Sequence, residues 1–461
     1  MDAKTLRLTV DVDHPGAPFP RIHEGRYEVD PVTQDLVPLP EFVREAAHRA
    51  GVRLLRVGIG CWLPTKDPDP ADVGEREWFL GSTLDDTRDP AMYRWTHLDH
   101  NLSACRELSV ELLLSVDYMP ASLARAGTQP DLLEIMQLAA PDYTFPDGIR
   151  NAPPADPEVF AAACVQLIRH VEESGVPIRL IELWNEPDLT LFYAGTYEEY
   201  LDMYRAFARA IAPLGYPVGG PSWAGVLDAE TWLGRFTADV AREGVPLDFY
   251  SFHRYPRSLR GIQERCREVR AALDAAGLDA TTLVLDEWGW ALDDPARYGT
   301  VADAAFVTGA LVRMADLGVT EQTHVLLIDP AGSDEIAGLV RRDGVPNPVW
   351  HTLVAFEEFQ ATPHRLAVDG VPDGSTDLTV LAGSAGDNLT VLLANTGEAP
   401  LRIRLECGPL RHPQVQELTE QSFALGGWQD VATGGDDDAL EFTLGHGTVA
   451  RVRGTRREAR T

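Results

Sequence analysis

Between residues 19 and 330 the chain repeats one unit, and that repetition restricts its fold more than any other feature. Each unit is a short, almost unbroken apolar run followed by an amphipathic stretch, and most of these stretches close on glycine. The runs occupy 53–57, 110–116, 179–184, 217–220, 247–252, 282–285 and 324–328. Runs that are apolar along their whole length suit parallel strands buried on both faces. The stretches 40–50, 97–108, 157–174, 197–212, 229–243, 261–276 and 301–317 predict helices. Gly51, Gly175, Gly215, Gly244, Gly277 and Gly318 supply the left-handed stop before the next strand. An eighth strand, first in order, is expected at 19–25, where the pattern is weaker. Eight βα units in succession predict a closed (β/α)8 TIM barrel within the α/β class rather than an open doubly wound sheet.

After about residue 360 the character changes. Apolar-rich segments at 378–381, 389–393 and 401–405 are separated by Gly, Asp and Asn with no helical stretch between them, which predicts an accessory antiparallel β-sandwich. Residues 6–12 alternate apolar and polar with period two and could join that sandwich. The expected division is therefore a catalytic barrel at 15–358 and a sandwich built from 1–14 plus 359–461. The basic residues 451–461 read as a frayed tail. Acidic residues outnumber basic ones, 71 to 40, for a formal charge of −31, which opposes binding to nucleic acid and to anionic membranes. The five cysteines (Cys61, Cys105, Cys164, Cys266, Cys407) are scattered without a close pair, giving neither a disulfide framework nor a zinc site. No apolar run approaches the roughly 18 residues of a membrane span. Nor does an apolar leader follow Met1-Asp2-Ala3-Lys4. A reduced, soluble, cytoplasmic protein without cofactor or metal is expected; homo-oligomerisation stays open.

In a barrel of this kind the chemistry sits where strands end, on the C-terminal face. Glu186 follows the predicted fourth strand in the run Trp184-Asn185-Glu186-Pro187, and Glu287 follows the seventh in Asp286-Glu287-Trp288-Gly289-Trp290. Their separation of 101 residues is three βα units, which sets them facing across the mouth. Two such carboxyls are what glycosidic cleavage requires. One protonates the leaving oxygen while the other attacks or stabilises the anomeric carbon. Held close together they cannot both ionise readily, so the proton resides on Glu186 until Glu287 is esterified.

Several further stretches then carry a resemblance. Trp184-Asn185-Glu186-Pro187-Asp188-Leu189 is followed by Phe192-Tyr193-Ala194-Gly195-Thr196. Next come Gly219-Gly220-Pro221-Ser222, the run 248–256 (Asp-Phe-Tyr-Ser-Phe-His-Arg-Tyr-Pro), Glu287-Trp288, and finally 338–340 with 343–350. From about Pro18 to Phe359 the chain resembles a clan-A glycoside hydrolase, most of all family 39, which holds β-xylosidases and α-L-iduronidases. The resemblance implies Glu186 as acid/base and Glu287 as nucleophile, with net retention. It implies that Asn185 binds the 2-hydroxyl of the sugar. Tyr255 or His253 would steer Glu287 or bind a hydroxyl, the alternative being a satisfied histidine under a tyrosine lid. Arg56 would pair with the nucleophile. Trp288 and Trp290 offer faces for a pyranose ring, at least one of the pair being expected in the core instead.

The chain also departs from the family. Arg56 is followed by Val57-Gly58-Ile59-Gly60 where the family has His-Gly, Gly289 stands where it has Asn, and Leu327-Ile328-Asp329 lacks its aromatic. Asp329 could replace that aromatic with a bidentate hydroxyl contact or could cap the next loop. Arg254 and Arg257 raise a uronic-acid carboxylate as ligand, against a reading as surface arginines. The expected function is a retaining, exo-acting glycosidase on a small pentoside or hexoside, or on an oligosaccharide, β-xylosidase-like. The alternatives are endo-action on a polysaccharide, an iduronidase-like hydrolase of uronides, and a non-catalytic carbohydrate-binding relative. The Pro- and Asp-rich stretch 127–156 would wall the mouth for exo-action.

Overall fold

The computed structural model describes residues 5–27, 38–59, 77–126, 149–226, 230–329, 338–372, 377–436 and 438–457. Eight parallel strands close a barrel in sequence order: Gly25–Tyr27, Leu54–Gly58, Glu111–Val116, Ile178–Leu183, Val218–Trp223, Phe249–Arg254, Thr282–Trp288 and Val319–Val325. They are numbered one to eight below. Helices Glu41–Arg49, Thr96–Leu108, Pro157–Ser174, Tyr197–Ile211, Phe236–Glu243, Leu259–Ala275 and Val301–Asp316 surround it, near the predicted positions. The TIM barrel expected from the repeat is therefore present, with its second, sheet-built unit. A further helix, Pro348–Phe359, completes the eighth unit. Its start was written in Asn347-Pro348: the Asn347 side chain caps the Trp350 N–H, and proline fills the first turn.

Local chemistry explains the element ends. Asp156 caps the Glu158 and Val159 N–H groups ahead of Pro157, and Gly175 ends that helix at φ 77°. Thr196 and Glu199 form a reciprocal capping box at the start of Tyr197–Ile211. The first barrel strand was hard to read because it is three residues long and begins on Gly25. A Cβ there would lie 1.6 Å from the Gln322 carbonyl oxygen, so contact with the eighth strand leaves no room for an apolar marker. The eighth strand begins at Val319 rather than 324, because its polar opening residues serve the barrel floor. Glu321 pairs with Arg179 at 3.1 Å, and Arg179 also pairs with Glu24 at 3.6 Å.

Side chains two apart on a strand share a face, and the barrel interior is layered accordingly. Leu54, Leu113, Leu180, Phe249 and Val284 form a closed apolar cluster. Two residues onward on the same strands stand Arg56, Ser115, Glu182, Ser251 and Asp286, all buried. The apolar layer plugs the barrel, and a charged layer lies directly above it.

The second unit packs two sheets face to face. One, in order, is Val368–Asp369, Leu6–Val10, Leu401–Glu406, Ala439–Leu444 and Gly434–Asp436. The other is His364–Leu366, Leu378–Ala385, Asn388–Asn395, Thr448–Arg456, Leu410–Leu418 and Gln429–Asp430. Pairing is antiparallel except between Leu6–Val10 and Leu401–Glu406. Leu8, Val391, Leu405, Phe442 and Val452 belong to its core. The reading of 451–461 as a frayed tail is corrected for 451–456, while 458–461 lie outside the described residues. Thr448–Arg456 is an inner strand paired on both edges, with Ala450 and Val452 buried and Arg451 on Glu358 at 2.8 Å. Cys105, Cys164, Cys266 and Cys407 are free and buried, whereas Cys61 lies outside the described residues, as does most of 127–156. Among the described residues no helix is long and apolar enough to cross a membrane.

The plug carries the site, so removing part of it has a defined cost. Leu113→Ala should lower stability by about 2–5 kcal/mol through lost burial and a residual cavity. Denaturant unfolding measures this, and a loss below about 1 kcal/mol would mean that the layer collapses freely.

Candidate active site

Strand four delivers Glu186 through a tight turn. Trp184 and Glu186 have φ of 77° and 47°, a left-handed region that non-glycine residues occupy at a cost of about 1–3 kcal/mol each. Tertiary contacts hold that turn. The Trp184 N–H reaches the Val116 carbonyl at 3.1 Å, and the Glu186 N–H reaches the Ser222 carbonyl at 2.9 Å. The buried Trp184 ring donates its indole N–H to the Phe192 carbonyl at 2.9 Å. Asp188 accepts the Ala224 and Gly225 N–H groups, each at 3.0 Å, tying the same loop to the end of strand five.

Strand seven delivers Glu287 through an irregularity. Its register with strand six shifts between Val284 and Glu287, so the consecutive residues Asp286 and Glu287 both reach the barrel interior. Both meet Arg56: Asp286 Oδ2 lies 3.4 Å from Nε, and Glu287 Oε2 lies 3.2 Å from Nη1. One ligand atom each from Glu186, His253 and Glu287 all lie within 4.8 Å of one another. The side chains of Glu186 and Glu287 keep 14% and 15% of their exposure, while Arg56, His253 and Asp286 keep at most 1%. The two carboxyls therefore open to the mouth, and their supports do not.

Arg56 is the hub. Nε donates to Glu182 Oε1 at 2.7 Å, Nη1 to Glu287, and Nη2 to Asn185 Oδ1 and Ser222 Oγ, each at 2.9 Å. Its guanidinium lies 4.9 Å from the Tyr27 ring centroid. Tyr255 donates its hydroxyl to Glu287 Oε1 at 2.7 Å, so each oxygen of Glu287 has a donor. Asn185 turns its Nδ2 to the Tyr118 hydroxyl at 3.3 Å.

The electrostatics follow from burial and from this count of charges. Burial pushes the Glu186 carboxyl up and Glu287 adds to the rise, against the opposing pull of His253. Burial, then Asp286, raises Glu182 to about 8. Asp286 goes the other way, to about 2, because His253 and Arg56 outweigh its burial. Burial alone would lower His253, but Glu287 and Asp286 beside it raise it well above the ordinary imidazole value. Glu186, His253 and Glu287 are the one group of described residues with the spacing to hold a metal ion. Both ring nitrogens of His253 are already engaged, Nδ1 with Glu186 and Nε2 with Ser222, each at 2.7 Å.

Of the residues singled out in the sequence, Glu186, Glu287, Asn185, Arg56, His253 and Tyr255 come together. His253 holds Glu186 at 2.7 Å and stands 3.8 Å from Glu287, so Tyr255 makes the closer contact with Glu287. Trp288 corrects the expectation of a stacking surface. It is fully buried, donates to Gln322 Oε1 at 2.6 Å and packs on His324. Trp290 is buried as well, with its N–H on Asp294 and Arg297 over its ring. Both belong to the wall, because the indoles that flank Glu287 fill the space between barrel and helices. Asp329 takes the loop-capping alternative, accepting the Gly338 N–H at 2.7 Å. Glu182, Ser222 and Asp286 were not singled out as site residues. Glu182 is a charged residue inside the run 179–184, whereas Ser222 and Asp286 lie just beyond the runs 217–220 and 282–285, on strands that extend to Trp223 and Trp288.

Comparison with known proteins agrees with this geometry. The model of glycosyl hydrolases family 39 matches residues 158–327, the stretch that holds both glutamates. A β-xylosidase of Caldicellulosiruptor saccharolyticus is 26% identical over 293 residues, covering 57% of this chain and 56% of that protein. The chain thus spans about half the length of that curated relative. A solved β-xylosidase from Caulobacter crescentus superposes with a TM-score of 0.72 at 16% identity, covering 98% of this chain and all of the other. A solved glucosidase from Croceicoccus marinus gives 0.70 at 20% identity, covering 99% and 100%. At such identities the two structures establish the fold. By its fold and by the family match over 158–327 the chain is similar to clan-A glycoside hydrolases. Within the clan it is family-39-like.

Arg56→Met would leave three carboxyls around a missing cation. It should cost about 3–5 kcal/mol at neutral pH, as removal of one partner from a buried pair does. Asp286 sits below its ordinary value, so its contribution is present above that value and is lost as pH falls toward about 2. The gap between variant and wild type should therefore shrink on acidification. Thermal unfolding from pH 7 to pH 3 checks both, and a gap that is constant or absent would contradict the hub.

Proposed function

We propose that the protein is a retaining, exo-acting glycosidase of β-xylosidase type, with Glu186 as acid/base and Glu287 as nucleophile. The observation that carries this reading is that one oxygen of Glu186 and one oxygen of Glu287 lie within 4.8 Å of each other. Retaining enzymes hold the pair at about 5–5.5 Å and inverting ones at about 6.5–9.5 Å, to admit a water. In the first step a Glu287 oxygen bonds to the anomeric carbon as the glycosidic bond breaks, and the proton of Glu186 goes to the leaving oxygen. In the second step water attacks that carbon, its proton passes to Glu186, and the ester to Glu287 breaks. Arg56 and Tyr255, one on each oxygen of Glu287, hold it in position for attack. Asn185, its Oδ1 fixed by Arg56, is the proposed partner of the 2-hydroxyl.

Exo-action on a small pentoside rests on the relatives, which are described as β-xylosidases and a glucosidase. The uronide alternative has less behind it. Arg254 is turned to the Gly261 carbonyl at 3.2 Å, and Arg257 pairs with Asp293 at 2.8 Å, so both arginines are engaged away from the two glutamates.

A panel of nitrophenyl glycosides (xyloside, arabinoside, glucoside, galactoside, uronides) tests the substrate class, with the xyloside expected to lead. Glu287→Ala should lose at least about 10⁴-fold in kcat and be rescued by azide as a glycosyl azide of inverted configuration. Inactivity toward the whole panel, or a variant that keeps its activity, would sink this function. The raised Glu186 carboxyl works when protonated, so kcat/KM should fall only as pH rises through a value above the usual carboxylate range of about 4.3. Glu186→Gln should abolish that alkaline limb on dinitrophenyl substrates; a limb that persists would place the acid elsewhere.

A further inference from the structure

Below Glu186 lies a chain of hydrogen bonds whose donors and acceptors can be assigned by elimination. Arg56 can only donate, so Ser222 Oγ accepts from its Nη2 at 2.9 Å. Ser222 has one hydroxyl hydrogen, and Oγ lies 2.7 Å both from Asp286 Oδ2 and from His253 Nε2. An ionised Asp286, buried against Arg56, can only accept, so it takes that hydrogen. His253 Nε2 must then carry a hydrogen of its own, shared between Ser222 Oγ and Asp286 Oδ2, the latter at 3.2 Å. The opposite assignment would set two lone pairs against each other at that distance. The other ring nitrogen, Nδ1, stands 2.7 Å from Glu186 Oε1, and a contact of that length needs one hydrogen between them.

We propose that Asp286 is a positioning residue which, through Ser222, fixes the hydrogen on Nε2 of His253 and leaves Nδ1 to share the acid/base proton with Glu186. This rests on the roles given to Glu186 and Glu287 above. The charged and titratable groups around His253 are Glu186, Glu287 and Asp286 in contact, with Arg56, Glu182 and Tyr255 behind them. When Glu186 gives the shared proton to the leaving oxygen, Nε2 keeps its own hydrogen and Nδ1 is left as a bare acceptor beside the new carboxylate. When water attacks the glycosyl-enzyme, its proton returns to the same Glu186–His253 line. The proton count is one throughout, and no other reactant is needed. The upward shift of His253 and the downward shift of Asp286 agree with a hydrogen held on Nε2.

Asp286→Asn is the test, because its amide can donate to Nε2 and drive the hydrogen to Nδ1. Long-range ¹H–¹⁵N spectra of the 12 histidines, with His253 identified by its loss in His253→Asn, report the tautomer directly. The expected wild-type spectrum has Nε2 protonated, and Asp286→Asn moves the hydrogen. For kcat/KM we expect a loss of at least about 10-fold on alkyl glycosides, which need the acid, and of under about 3-fold on dinitrophenyl glycosides. Ser222→Ala should lie between wild type and Asp286→Asn. An equal loss on both leaving groups means that Asp286 only braces Arg56 and Glu287, and it overturns the proposal. So does a wild-type His253 with bare Nε2, a result that stands even if Asp286→Asn fails to fold. A wild type inert toward every glycoside would instead overturn the assigned function while the tautomer remained readable.

Discussion

One guanidinium governs this site. Arg56 is buried in the barrel with Glu182, Asp286 and Glu287 within 3.4 Å, and the same group holds Asn185 and Ser222. A cation without partners at that depth would be prohibitive, and so would three carboxylates without a cation. The compromise is a graded set in which Asp286 stays ionised while Glu182 and Glu186 are pushed upward. The proposed division of labour between the two mouth carboxyls starts from that gradation.

The barrel makes the arrangement affordable. The leucine, phenylalanine and valine layer beneath excludes water from the floor, so ion pairs above it operate in a low dielectric. Tight geometry at the rim does the rest. The left-handed Trp184 and Glu186, and the register shift before Glu287, aim two carboxyls at one point from opposite sides of the mouth. Such local strain persists only where the surroundings over-determine it.

Much of this was legible in the chain. Strand-and-helix alternation with glycine stops disclosed the barrel, and tryptophan-flanked glutamates three units apart marked its mouth. What was hidden had physical causes. A strand buried on both faces looks uniformly apolar, which hides the two-residue step from Leu180 to Glu182, and the apolar run 282–285 stops short of Asp286, although the strand continues to Trp288. A tryptophan that stacks on sugar and one that fills a wall look alike, and Trp288 proved to be the second kind. The alternation of Ala450 and Val452 with Arg451 and Arg453 was masked by net basic charge, although it is the period-two signature of a strand with one face on the core. Asp329 left two uses open, and the Gly338 amide accounts for one of its oxygens.

The proposed mechanism of two displacements rests on one oxygen of Glu186 and one of Glu287 lying within 4.8 Å, short of the roughly 6.5–9.5 Å that admits a water. Proton NMR of the sugar released in the first minutes of turnover, before mutarotation, tests it most directly. The first-formed product is expected to have the substrate's anomeric configuration. A first product of opposite configuration would contradict it.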